Sequence, residues 1–235
     1  MNLAPNIALV NTEAAVSLIQ GTQRDSQMRA WLGDPSQFEH DTDTSAAIVS
    51  AHSALRSGAE TITALTGDAT RSEPERHAVG GEVSARTVAK LEEAQRTLTA
   101  KAKAYAKAAN DALTERFTLK TEDGWTNDKW LALVRDEAGK EGGYGKIGEM
   151  ISQYRDLATL MVKLPTPLLG VPERQHTAWK VKAVSKWEPE IQAGLQMAED
   201  IHDVASRYTR IVGMVRLNFH SPGVAAKVAT RVKLT

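Results

Sequence analysis

Cysteine is missing from all 235 residues of the chain, so it can build neither a disulfide framework nor a thiolate metal site. Aromatic residues amount to only 5%, and alternating β-branched runs are scarce, which turns the reading away from sheets and towards helices. No apolar run reaches the roughly 18 residues that mark a membrane-spanning helix. Residues 1–10 hold apolar side chains but no basic segment, and Pro5 and Asn6 interrupt them. Neither a transmembrane segment nor a signal peptide is expected, and the expected location is the cytoplasm or a virion.

Acidic residues are absent after Asp203, whereas six bases follow it: Arg207, Arg210, Arg216, Lys227, Arg231 and Lys233. Residues 1–50 lean the other way, with Glu13, Asp25, Asp34, Glu39, Asp41 and Asp43 against Arg24 and Arg29. The formal net charge is nevertheless +0. Such asymmetry implies an anionic partner at one end, head-to-tail contact between copies, or mutual neutralisation of the two ends within one fold.

What the chain does have is helical periodicity. From Pro189 to Phe219, apolar residues recur at Ile191, Leu195, Ala198, Ile201, Ala205, Tyr208, Val212, Val215 and Phe219, the steps of three and four that define one helix face. A second stripe at Met197, Val204, Ile211 and Met214 makes that face too wide for a two-stranded coiled coil, so this helix is expected to pack among several others. Upstream, the spacing predicts a helix over 12–32 with a kink in the polar stretch 21–27. A second runs over 45–66, with a seam of Ile48, Leu55 and Ile62 flanked by Ala51, Gly58 and Leu65. Residues 68–82, with Pro74, Gly80 and Gly81, read as a mobile loop. Helices are then predicted over 83–117, 127–138, 146–164 and 173–187, with an extended prolyl strap over 164–172. In the third helix the run 100–109 presents an almost all-alanine face, so a partner helix must approach closely or leave it in water.

Candidate chemistry is thin. His202-Asp203 resembles the metal-binding dyad of HD-type phosphohydrolases, but no Asp or Glu follows to close that pattern. All-α nucleotide pyrophosphatases hold magnesium with carboxylates one helical turn apart on two helices; Glu92-Glu93, Asp136-Glu137-Glu141 and Glu199-Asp200-Asp203 offer acids without making that pair of motifs. The segment 139–148, GKEGGYGKIG, has the look of a phosphate loop, yet it follows a helix and places Ile147 where Ser or Thr should bind magnesium. The weaker expectation there is an anion at the free N–H groups opening the next helix.

The expected fold is all-α, an elongated bundle of six or seven helices with a long C-terminal helix. Its parts are an N-terminal helical hairpin (1–67), a mobile loop (68–82), a main bundle (83–219) and a basic tail (220–235), together one structural unit. No catalytic, cofactor or metal residue is assigned, and the chain is not expected to be an enzyme. It reads as a structural or assembly subunit that works through other protein subunits or copies of itself, a bacteriophage virion or ejection-type component being one instance. The two alternatives are a metal-dependent nucleotide phosphohydrolase and a sequence-independent binder of nucleic acid or membrane surface through the basic C-terminal region. Candidate partner contacts are Arg207, Arg210, Arg216, Lys227, Arg231 and Lys233, with Trp125 and Trp130 as aromatic anchors.

Overall fold

The structure, a computed structural model, describes residues 7–120 and 124–228. The fold is all-α, with no strand among the described residues. In chain order the helices are α1 (Glu13–Thr22), α2 (Asp25–Leu32), α3 (Thr42–Gly67), α4 (Glu73–Arg116), α5 (Gly124–Ala138), α6 (Gly143–Gln153), α7 (Arg155–Lys163), α8 (Thr166–Leu169), α9 (Glu173–Trp187), α10 (Pro189–Asn218) and α11 (Pro222–Ala225). Short 3-10 turns cover Pro35–Phe38 and Ala226–Val228. The chain divides into two compact units, one of residues 1–102 and 200–235, the other of residues 103–199. It enters the second within α4 and leaves it within α10.

Unit 1 is built on long helices. Thr12 caps α1 by accepting the Ala15 N–H, and Asp41 caps α3 by accepting the Thr44 N–H, each supplying a partner for an N–H with no acceptor inside its helix. The seam of α3 is buried throughout: Ile48, Ala51, Leu55 and Ile62 are inaccessible, and Leu65 nearly so. Val88, Leu91 and Leu98 of α4 and Ile201, Val204, Tyr208, Val215 and neighbouring Phe219 of α10 belong to the same unit and are buried as the 3.5-residue spacing requires. Tyr208 donates its hydroxyl to the Leu32 carbonyl oxygen at 3.1 Å, and burial pushes that hydroxyl far above its ordinary pKa.

Residues 73–82 are helical, not a mobile loop. Ser72 and Glu75 form the reason: the Ser72 N–H and hydroxyl both donate to the Glu75 carboxylate, at 2.9 and 2.7 Å. This is one half of a capping box, Ser-x-x-Glu, and Pro74 falls in the first turn, where a missing N–H costs nothing. The connection between α3 and α4 shrinks to residues 68–72.

Unit 2 is built on short helices around a core of Phe117, Trp179, Ile147, Ile151, Leu157, Leu160 and Met161, with Trp130 and Trp187 packed against it. The helix expected over 146–164 is two helices, broken at Tyr154, whose backbone is extended (φ −117°, ψ 110°). Trp187 explains the break. Its indole N–H takes the Ile151 carbonyl oxygen at 2.9 Å, which a continuous helix would offer to the Arg155 N–H. The prolyl strap is likewise not wholly extended: Pro167 opens the single turn α8, which Gly170 ends in the left-handed conformation. The alanine-rich face of α4 does find a close partner within this unit, because a Cβ built on Gly194 of α10 would stand 3.6 Å from the Ala109 Cβ.

Candidate partner-contact surfaces

In unit 1 four of the six acids of the first fifty residues, Asp25, Asp34, Asp41 and Asp43, meet an arginine or lysine. Asp25 meets Arg56 at 2.7 Å, Asp34 meets Arg29 at 3.4 Å, and Lys101 lies 3.5 Å from Asp41 and 2.6 Å from Asp43. The Ser36 hydroxyl and N–H, both donating to Asp34, hold its carboxyl below the ordinary carboxylate range. The bases on α10 have partners of their own. Arg216 contacts Glu92 at 2.6 Å, and an Arg207 N–H is directed at the Ala30 carbonyl oxygen at 3.5 Å. Among the described residues, Asp25, Asp34, Asp41, Asp43 and Arg216 thus find ion-pair partners on α2, α3 and α4.

Arg210 is exposed, and so is Lys227 in the last 3-10 turn. Arg231 and Lys233 lie outside the described residues. Close to Arg216 in sequence, Leu217 is 76% exposed, an apolar side chain at the end of a helix whose other face is core. Between α3 and α4 a hollow of about 360 Å³ is lined by Ala46, Ala47, Ser50, Ala94 and Thr97, with Lys90, Glu93, Asp43 and Lys101 at its rim. Small side chains give it shape without reactive groups.

In unit 2 the two candidate tryptophans part company. Trp130 is half-buried and its ring lies 5.1 Å from that of Tyr154, part of the internal packing. Trp125 is 74% exposed, with the Lys129 ammonium 5.2 Å from its ring centre. Of the 15 residues of α5, only Val134 and Glu137 are buried.

A hollow of about 350 Å³ in this unit gathers Arg116, Lys120, Arg155, Asn127, Thr118 and Thr159 beside Glu115 and Asp156. Arg155 organises one side of it, its guanidinium 5.8 Å from the ring centres of both Phe117 and Trp187 and ion-paired to Glu188. Sequence reasoning did not single out Arg155, since its ion-pair partner is 33 residues away and no local spacing announces it.

The loop that resembles a phosphate cradle is filled by its own chain. Gly143 sits so close to the end of α5 that a Cβ there would fall 1.7 Å from the Glu137 carbonyl oxygen; no larger residue fits. The Glu137 carboxylate, buried at the rim, holds Lys140 at 2.9 Å and Lys146 at 3.0 Å, and hydrogen bonds from these two lysines hold its carboxyl below the ordinary range. Lys146, the lysine that would reach a phosphate, is therefore a structural partner of Glu137.

Groups that sequence reading weighed for metal chemistry stand apart. His202 and Asp203 are exposed on α10, and Glu92 is committed to Arg216. No three His, Asp or Glu side chains among the described residues are placed to share a metal ion. His176 is buried for a structural purpose. One ring nitrogen meets the Met161 carbonyl oxygen at 2.7 Å and the other the Thr166 hydroxyl at 2.8 Å, tying α9 to the end of α7 and the start of α8. No helix among the described residues is long and apolar enough to cross a membrane. Comparison with protein-family models, with curated proteins and with solved structures finds no match.

Proposed function

We propose that the chain is a non-enzymatic assembly subunit that docks on other protein subunits, copies of itself included, with a virion or ejection-type component as one instance. The observation that carries this reading is Trp125. Tryptophan is the residue most enriched among dominant interface contacts, and here one stands 74% exposed on a helix that buries only two of its residues. Leu217, 76% exposed at the end of α10, is a second apolar anchor of the same kind. Exposed apolar side chains scattered singly are ordinary; the size of Trp125 and the small core share of α5 are what set it apart.

The alternatives have less support. A phosphate-binding stripe on α10 would need Arg207 and Arg216 free, whereas one is directed at Ala30 and the other is held by Glu92. A phosphohydrolase would need acids and imidazoles converging from several helices, and the described residues bring none together in threes.

Sedimentation analysis over a wide concentration range tests the proposal. Association is expected to strengthen with concentration, and Trp125→Ala is expected to weaken it at least tenfold, about 1.4 kcal/mol. A particle that stays monomeric throughout and is indifferent to Trp125→Ala would overturn the self-association form of the reading.

A further inference from the structure

His77 is one of the few imidazoles in the chain that is nearly inaccessible, at 3%. It sits in the second turn of α4, and its Nδ1 accepts the backbone N–H of Ser221 at 3.0 Å. An imidazole that accepts at Nδ1 must be neutral with its proton on Nε2. Ser221 is the N-cap of α11, the residue at which the terminal segment begins. His220, next to it, lies over the same stretch of α4: a Cβ on Gly81 would stand 3.3 Å from its ring. The His220 Nδ1 is buried and has no hydrogen-bond partner. Beyond this point none of residues 222–228 is buried.

We infer that His77 and His220 form an acid-sensitive latch that fastens residues 221–228 to α4 and releases them when the imidazoles are protonated. The chemistry follows from the hydrogen bond. Protonation puts a hydrogen on His77 Nδ1, so two N–H donors face each other where a donor met an acceptor. It also places a second charge close to His220, itself in a site that offers its ring nitrogen no acceptor. The charged groups around His77 are Glu73 and Arg76 on α4 and His220 from the segment after α10; towards α3, Arg76 is held by the Thr66 carbonyl oxygen with Asp68 nearby. Glu73 favours the imidazolium, but burial outweighs it, and both His77 and His220 are pushed below their ordinary pKa, mainly by burial.

The sign of the effect is fixed. A group whose pKa is lower in the latched state than in the released one favours latching above about pH 6.5 and favours release as pH falls below it, by up to roughly tenfold per pH unit for each imidazole. The latch is independent of the assembly role proposed above, because it concerns only where the terminal segment sits.

The chain has no cysteine, so Ala226→Cys offers a single attachment point for a spin label on an exposed residue of the terminal segment. Label mobility by electron paramagnetic resonance, read from pH 8 to pH 5, should rise with a midpoint below 6.5 while helical circular dichroism stays constant. NMR of the imidazoles should show His77 gaining its proton over the same range. His77→Asn supplies a side-chain carbonyl that can accept the Ser221 N–H but cannot titrate; combined with His220→Asn, which removes the second titrating ring, it should keep the segment ordered at pH 5. A wild-type label that stays ordered down to pH 5, release that coincides with loss of helical signal, or a His77→Asn/His220→Asn protein that releases at the wild-type pH would each overturn the latch.

Discussion

Unit 1 and unit 2 solve the same problem, burying apolar surface with helices, by different means. Unit 1 relies on length: α3 runs from Thr42 to Gly67, and its own buried seam is aliphatic, with Leu and Ile repeating at helical spacing. Unit 2 relies on anchors: α6 to α9 are at most 15 residues each. Their ends are fixed by single polar contacts from bulky side chains, Trp179 to the Tyr144 carbonyl oxygen, Trp187 to Ile151, His176 to Met161 and Arg135 to Leu168. Short helices bury too little on their own to fix their directions. Stability in unit 1 is thus spread along seams, while in unit 2 it is concentrated at a few residues.

The sharpest way to break that contrast is to remove an anchor. Trp179→Ala should cost about 4 kcal/mol in chemical denaturation, since it empties the centre of the unit 2 core and also strands the Tyr144 carbonyl oxygen. A loss under about 1 kcal/mol would show that the core of short helices closes over the gap, and the contrast would fail.

Acidification comes next in size. Burial holds His176 below its ordinary pKa, so its contribution is complete above about pH 6.5 and declines as pH falls, by at most roughly 1.4 kcal/mol per pH unit. Urea midpoints of wild type and His176→Gln between pH 7 and pH 5 should converge as pH drops. Parallel curves would remove His176 from the anchors.

In unit 1 the corresponding probe is a glycine. A Cβ on Gly58 would lie 2.4 Å from the Thr87 hydroxyl and 3.0 Å from the Phe219 ring. Gly58→Ala should therefore destabilise by about 1 to 2 kcal/mol, although alanine is the better helix former by nearly 1 kcal/mol. Gly213→Ala on α10 meets nothing within 4 Å and should stabilise by about 0.5 to 1 kcal/mol. If both substitutions stabilise, the seam has more room than its geometry shows. The smallest change is expected from Arg216→Ala: its ion pair with Glu92 is largely exposed, at 60% and 37%, and should be worth less than about 1 kcal/mol in a thermal melt.

The same contrast governs what could be read from the sequence. The seams of α3 and α10 were visible because one helix face repeats over many turns, and Ile48, Leu55, Ile62, Ile201, Tyr208 and Val215 are buried where the periodicity placed them. The break at residues 23–24 was legible too, as a polar stretch between two apolar patches. The start of α4 was misread because Pro74 and two glycines outweighed Ser72-x-x-Glu75, a signal that was present and local. The break at Tyr154 was not legible at all: the residues on either side keep a clean helical pattern, and the cause is an indole 36 residues away. Of the candidate contacts, the exposure of Trp125 and the inward role of Trp130 depend on which ring meets Tyr154, and spacing says nothing about that. His77 and Ser221 are 144 residues apart, so their bond was equally out of reach.

Because the chain leaves unit 1 within α4 and returns only within α10, residues 103–199 are made before the α10 part of the unit 1 interior exists. On a ribosome adding about 5 to 20 residues per second, that interval lasts roughly 5 to 20 seconds. Through it the apolar seams of α3 and α4 wait without Ile201, Tyr208 and Phe219, which belong to the same unit, a window in which a newborn chain is open to holding factors or to its neighbours on the same message.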